Sequence, residues 1–260
     1  MKPVPVYRIN TCLESSDTDY FRELSMSSAF LYFQDIAAAH AENLGAGVKT
    51  LSMQRGVAWI VMRMRVEIDR MPGLDEEIII ETWPRPTAPL YERDYRILGK
   101  DGDILVKATS IWIIMDLATR DIMKEHIVKY REIEIHPDCA LPVKLRQLRA
   151  PAPPELCYSK HLRYTDIDYN DHVNNTKYVE YSYDCFPLEY HRENRIRAYE
   201  INFINEGKHG ESIDLLRAPY GQTPPQGECT ASSGEAFFIE GKAEEDSRTV
   251  FKAKMEFVPR

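Results

Sequence analysis

The segment TDIDYNDHVNNTKYVEY, residues 165–181, sets Asp166, Asp168, Asn170 and His172 on every second position. On an extended chain that spacing aims all four side chains the same way. Such a set can hold a metal ion, cap the helix that follows, or do chemistry. A neutral histidine is a competent general base for water at cellular pH. A carboxylate can orient that histidine or attack a carbonyl itself. An amide side chain, or free N–H groups at a helix start, can hold a carbonyl oxygen as it gains negative charge.

The metal alternative is poorly supported. Asp166-x-Asp168-x-Asn170 resembles the opening of a calcium loop, but the sixth position is Asp171 in place of glycine and the twelfth is Lys177 in place of glutamate. For zinc, His161 and His191 are present without ligand spacing, so no metal is expected. Capping is the serious structural alternative, because Asp171, Asn174 and Asn175 are ordinary turn and cap residues ahead of a helix. It explains one or two residues, and leaves a histidine, two carboxylates and an amide within seven positions unexplained.

The elements around this segment repeat. SSAFLYFQDIAAAHAENLG carries Phe30, Phe33, Ala37, Ala41 and Leu44 at helical spacing, with Gly45 as a stop signal. Strand-like runs follow: MRMRVEID, EIIIETW, YERDYRIL and ILVKATSIWIIMD. After a Pro-rich stretch the order returns. A helix over about 174–186 has Tyr178, Tyr181, Ser182 and Cys185 on one face and Pro187 at its end. RAYEINFI, ESIDLLRA, GEAFFIEGKA and VFKAKMEFV then read as strands. Residues 19–35 overlay residues 168–184 at an offset of 149, and 70–78 overlay 205–213 at an offset of 135. In that overlay Asn170 and His172 face Phe21 and Glu23, so the second half alone carries the polar set.

A helix followed by several strands, occurring twice, implies an α+β fold with each helix lying on an antiparallel sheet. The expected organisation is an N-terminal domain at 1–136, a linker at 137–154 holding five of the 16 prolines, and a C-terminal domain at 155–260. The formal charge of −8 argues against general nucleic-acid binding. No apolar run reaches the roughly 18–20 residues of a membrane span, and MKPVPVYRIN lacks the apolar stretch of a signal peptide. Cys12, Cys139, Cys157, Cys185 and Cys229 show no CxxC spacing, which fits a reducing cytoplasm. There is no G-x-S-x-G elbow, P-loop or G-x-G-x-x-G fingerprint, and no cofactor is expected.

The D-x-N-x-H-V-N-N pattern in TDIDYNDHVNNTKYVEY resembles the signature of acyl-acyl carrier protein thioesterases, a double hot-dog family. GVAWIVMRMRVEIDRMPGLDEEIIIETW and YERDYRILGKDGDILVKATSIWIIMDLATR resemble the family's first half, and the likeness runs from about residue 5 to 257. It implies two tandem hot-dog domains and hydrolysis of a fatty acyl thioester, releasing a free fatty acid and the carrier's thiol. The family's catalytic Asp, Asn and His fall on Asp168, Asn170 and His172, and its downstream glutamate falls on Glu206. The cysteine considered a nucleophile in plant members is replaced by Gly207, which favours attack by water or a carboxylate. The plastid-targeting extension of plant members is not matched, which suggests a bacterial-type enzyme.

The implied partner is an acyl carrier protein, and a homodimer is compatible with this reading. For carrier docking, Lys144, Arg146 and Arg149, or Arg192, Arg195 and Arg197, are candidates whose plainer role is a solvated face. Phe30, Phe33, Ile36, Trp59 and Met62 are candidates for an acyl tunnel, with simple core packing as the plainer role; His40 reads as a packed core histidine. Rivals are an acyl-CoA thioesterase, a hot-dog hydratase or dehydratase, and a non-catalytic acyl-binding protein.

Overall fold

In a computed structural model of the chain, residues 2–85, 90–123, 133–134, 136–220 and 234–260 are described; Cys229 lies outside them. They form two compact units, Met1–Leu145 and Arg146–Arg260.

In the first unit β1 (Tyr7–Cys12) precedes helix α1 (Met26–Asn43) and the short α2 (Val48–Arg55), followed by β2 (Val57–Ile68), β3 (Glu77–Pro84), β4 (Tyr91–Gly99) and β5 (Ile104–Asp116). The strands run antiparallel in the order β1-β3-β4-β5-β2. Helix α1 packs on β1 and β3. Its expected apolar face, Phe30, Phe33, Ala37, Ala41 and Leu44, is buried, and Phe33 meets Tyr95 of β4 with ring centroids 4.9 Å apart. The helix begins at Ser25, whose side chain accepts the Ser28 N–H. It ends where Gly45 takes a left-handed φ of 74°. The Gly45 and Ala46 N–H groups then bond back to the Glu42 and Ala41 carbonyls, as a glycine-terminated helix requires.

His40 sits in this core without exposure. Its Nε2 bonds the Val4 carbonyl at 2.9 Å and its Nδ1 accepts from Arg93 at 3.1 Å. Burial first, and then the Arg93 charge, push its pKa down to about 4, so the ring stays neutral.

The second unit repeats the plan. It comprises β6 (Glu155–His161), α3 (Asn175–Tyr183), α4 (Leu188–Glu193), β7 (Asn194–Phe203), β8 (Ser212–Pro219), β9 (Glu235–Ala243) and β10 (Thr249–Pro259). Its antiparallel order, β6-β8-β9-β10-β7, corresponds strand for strand to that of the first unit. Tyr178, Tyr181, Ser182 and Cys185 are buried, as their spacing requires. Helix α3 is shorter than expected: Asp184 caps it, and the chain after Pro187 starts α4.

The segment 137–154 holds no helix or strand, yet it is tied down. The Asp138 carbonyl accepts from Trp83 and the Ala140 N–H bonds Asp94 in the first unit. In the second unit the Leu148 N–H bonds Asn202 at 2.7 Å. Among the described residues, no helix is long and apolar enough to cross a membrane.

Candidate active site

The polar segment does not run as an extended strand. A single 3-10 turn at Tyr164–Asp166 and a left-handed backbone at Asp171, φ 64°, fold it into a closed loop. The Ile167–Val173 bridge closes it, with the Asp168 N–H bonding the His172 carbonyl at 2.8 Å and the Asp171 N–H bonding the Asp168 carbonyl at 3.1 Å.

The fold therefore separates Asp166 from the other three residues. Asp166 is buried and accepts from the Tyr181 hydroxyl at 2.7 Å and the Arg163 N–H at 2.8 Å, with the Lys160 ammonium at 3.4 Å. Burial alone would raise its pKa, but these donors together hold the carboxyl below its ordinary range. Alternation in sequence grouped it with Asp168; the turn gives it a structural task.

Asp168, Asn170 and His172 remain on the loop. Asp168 Oδ1 accepts the Asn170 N–H at 2.8 Å and its Oδ2 lies 3.4 Å from Asn170 Nδ2. His172 turns toward Glu206, with Nε2 and Oε2 3.0 Å apart. Both side chains are about one-third exposed, at 29% and 36%, so water reaches the pair. The four residues thus form two pairs, Asp168 with Asn170 by hydrogen bonds and His172 with Glu206 in close contact. Asn174 caps α3: its Oδ1 accepts from the Thr176 N–H at 2.9 Å and hydroxyl at 2.8 Å, and its own N–H bonds the Asp166 carbonyl. These donors are thereby spent within the cap.

Glu206 follows β7 and is held through the main chain. The Val173 N–H bonds the Gly207 carbonyl at 3.1 Å, and the Gly207 N–H bonds the Tyr178 hydroxyl at 3.0 Å. Arg248 donates to the Glu206 carbonyl at 3.2 Å while paired with Glu211 at 2.6 Å. Neither support is legible in the sequence: helical spacing places Tyr178 on the α3 face without indicating its hydroxyl's partner, and nothing marks Arg248. A Cβ on Gly207 would stand 3.1 Å from each of Leu162 Cδ1, Tyr178 Oη and Val173 Cγ2. The packing therefore leaves no room there for a cysteine without rearrangement.

The first unit contains the same frame with other side chains. The Thr18–Leu24 bridge, left-handed Arg22 and the Asp19 N–H to Glu23 carbonyl bond at 2.8 Å match the second-unit loop at the 149 offset. The Leu24 N–H bonds the Pro72 carbonyl at 2.8 Å as Val173 does that of Gly207, at the 135 offset. The positions of Asp168, Asn170, His172 and Glu206 are there occupied by Asp19, Phe21, Glu23 and Met71. At the position of His172 the first-unit loop has a carboxylate in place of the imidazole.

The other histidines singled out in sequence have ordinary partners: His161 Nδ1 stands 3.2 Å from the Ser212 hydroxyl and His191 Nε2 3.1 Å from the Tyr183 carbonyl. Among the described residues, no group of three or more His, Cys, Asp or Glu is placed to hold a metal ion.

Residues 5–130 match the acyl-ACP thioesterase N-terminal domain and residues 155–253 match the acyl-ACP thioesterase C-terminal domain. The chain belongs to the acyl-ACP thioesterase family. Relatives include a chloroplastic acyl-[acyl-carrier-protein] hydrolase of Cuphea viscosissima, 25% identical over 98% of this chain and 63% of that protein. A palmitoyl-acyl carrier protein thioesterase of Cuphea hookeriana is 28% identical over 82% of this chain and 54% of its own length. The chain thus spans about half to two-thirds of the curated relatives it matches. An acyl-ACP thioesterase from Bacteroides thetaiotaomicron superposes with a TM-score of 0.83 at 24% identity, covering 97% of this chain and 98% of that one. A 12:0-ACP thioesterase from Umbellularia californica superposes at 0.80 and 21% identity over 98% and 94%. These likenesses establish the α+β fold of two hot-dog units.

Proposed function

We propose that this family member hydrolyses the thioester of a fatty acyl-acyl carrier protein, with Asp168, Asn170, His172 and Glu206 as its catalytic set. The observation that carries this reading is the 3.0 Å His172–Glu206 contact in the unit matching the family's C-terminal domain. With His172 Nε2 donating to the Glu206 carboxylate, the Nδ1 lone pair takes a proton from water. The resulting hydroxide adds to the thioester carbonyl carbon. Asn170 Nδ2 spends one hydrogen toward Asp168 Oδ2 and has the other to offer the carbonyl oxygen as it becomes negative. Collapse of the tetrahedral intermediate breaks the C–S bond; the sulfur leaves as thiolate and takes up the proton held on His172. The products are a fatty acid and the carrier's thiol.

Asp168 is assigned to holding Asn170, since its carboxylate is committed to that residue. The first domain, 1–136, is assigned to acyl-chain binding and the second, 155–260, to catalysis, with 137–154 between them. Phe30, Phe33 and Ile36 supply apolar side chains to that domain, where they are buried in the core. The reaction is placed in the cytoplasm, in keeping with the free thiols of Cys12, Cys139, Cys157 and Cys185.

The test is free-thiol release from matched acyl-carrier protein and acyl-CoA substrates, with mass analysis of the acyl product. Free fatty acid from the carrier substrates supports the proposal. Preference for acyl-CoA changes the handle, and an acyl product altered along its chain with the thioester intact identifies a hydratase or dehydratase. Bound thioester without turnover identifies a binding protein.

A further inference from the structure

Gly207 is held from both sides by the catalytic loop and the helix that follows it. Its carbonyl accepts the N–H of Val173, the residue after His172, and its N–H, the one after Glu206, donates to the Tyr178 hydroxyl. These two bonds set the separation between the chain carrying His172 and the chain carrying Glu206. The Tyr178 hydroxyl is the helix's part in that arrangement.

The first unit shows the same frame with Glu23 in place of His172. At the place of Gly207 it has Pro72, which accepts from Leu24 but has no N–H to donate. At the place of Tyr178, by the 149 offset, it has Ala29, which has no hydroxyl to receive one. Donor and acceptor are absent together beside the loop that has Glu23, and present together beside the loop that has His172. The phenol is buried, and that burial raises its pKa, so it stays neutral beside Glu206. Its ring is fixed by Phe251, 5.0 Å away between centroids, and by Tyr181 at 6.1 Å.

We infer that Tyr178 is a positioning residue for the His172–Glu206 pair, acting through the Gly207 peptide; this rests on the catalytic reading given above. In Tyr178→Phe the ring packing is kept and only the acceptor for the Gly207 N–H is lost. A buried donor left unpaired is costly enough for the peptide to move in search of a partner, and a small misplacement of catalytic groups has a large effect on rate.

The experiment is steady-state thiol release from an acyl-carrier substrate by wild type, Tyr178→Phe, Ser182→Ala and His172→Ala, each checked for folding by thermal melting. Ser182 is the control for damage to the helix itself: its hydroxyl bonds the Tyr178 carbonyl at 2.8 Å and lies 3.0 Å from the Tyr199 hydroxyl, with no bond to Gly207. The expected result is a kcat about tenfold lower in Tyr178→Phe with KM unchanged, and an unchanged kcat in Ser182→Ala. Wild-type kcat in Tyr178→Phe beside an inactive His172→Ala overturns this inference alone. An equal fall in Ser182→Ala also overturns it, because the effect then belongs to the helix. Full activity in His172→Ala overturns the catalytic reading and this inference with it.

Discussion

Asp168 and Asp19 occupy the same place in two copies of one loop: the Oδ1 of each accepts the backbone N–H two residues later, at 2.8 Å in both. Asp19 does this in a unit whose corresponding positions hold Phe21 and Glu23, with neither the amide nor the imidazole of the second loop. The shared bond is a turn-forming one, and the role proposed for Asp168 builds on it through Asn170.

This sets an orienting Asp168 apart from a nucleophilic one. Asp168→Asn keeps an acceptor for the Asn170 N–H, whereas Asp168→Ala removes it. An orienting role predicts a loss of about tenfold in kcat for Asn and about a hundredfold for Ala, by the sensitivity of rate to placement. Equal losses in the two variants, measured by thiol release, would identify Asp168 as the attacking group.

Gly207 is expected to resist enlargement. With three atoms 3.1 Å from a Cβ there, Gly207→Ala should cost about 1–3 kcal/mol of stability and lower kcat by shifting Glu206. Gly207→Cys should cost more, without gaining activity that thiol reagents block. A Gly207→Cys variant as stable and as fast as wild type would contradict the packing argument.

His40 predicts an acid-sensitive core. Its pKa is about 4 in the folded chain and about 6.5 when unfolded. As pH falls below 6.5 the unfolded chain takes up a proton that the folded chain refuses. Stability is therefore intact above pH 6.5 and is lost progressively down to about pH 4, by about 3 kcal/mol from this residue. Melting temperatures of wild type and His40→Gln measured from pH 7 to 4 should converge as pH falls. Parallel curves would show that His40 does not titrate in this way.

The strands with strong apolar content were legible: ILVKATSIWIIMD is β5 from end to end. β2 was read from Met62 although it begins at Val57, because a bulge between Val61 and Arg63 breaks the alternation that marks a strand. β1 and β6 were missed: YRINTC and ELCYSKH each pair with one neighbour within their unit and bury little, so they lack an apolar pattern. In the site, the residue types at 168, 170 and 172 drew attention by themselves. Glu206 entered only through family likeness, since 34 positions separate it from His172 and no spacing rule links a loop to the end of a strand across a helix. Asp166 was grouped with them because alternation presumes an extended chain, and the left-handed Asp171 and the 164–166 turn are not visible as such in a list of residues.

The proposed chemistry has His172, braced by Glu206, activate water at a thioester. The direct measurement is the thiol-release kcat of His172→Ala against wild type on an acyl-acyl carrier protein, with substrate binding measured alongside. Loss of a general base predicts a fall of roughly 10²-fold or more in a variant that still binds substrate. A His172→Ala enzyme turning over at the wild-type rate would contradict the account and place the chemistry elsewhere in the chain.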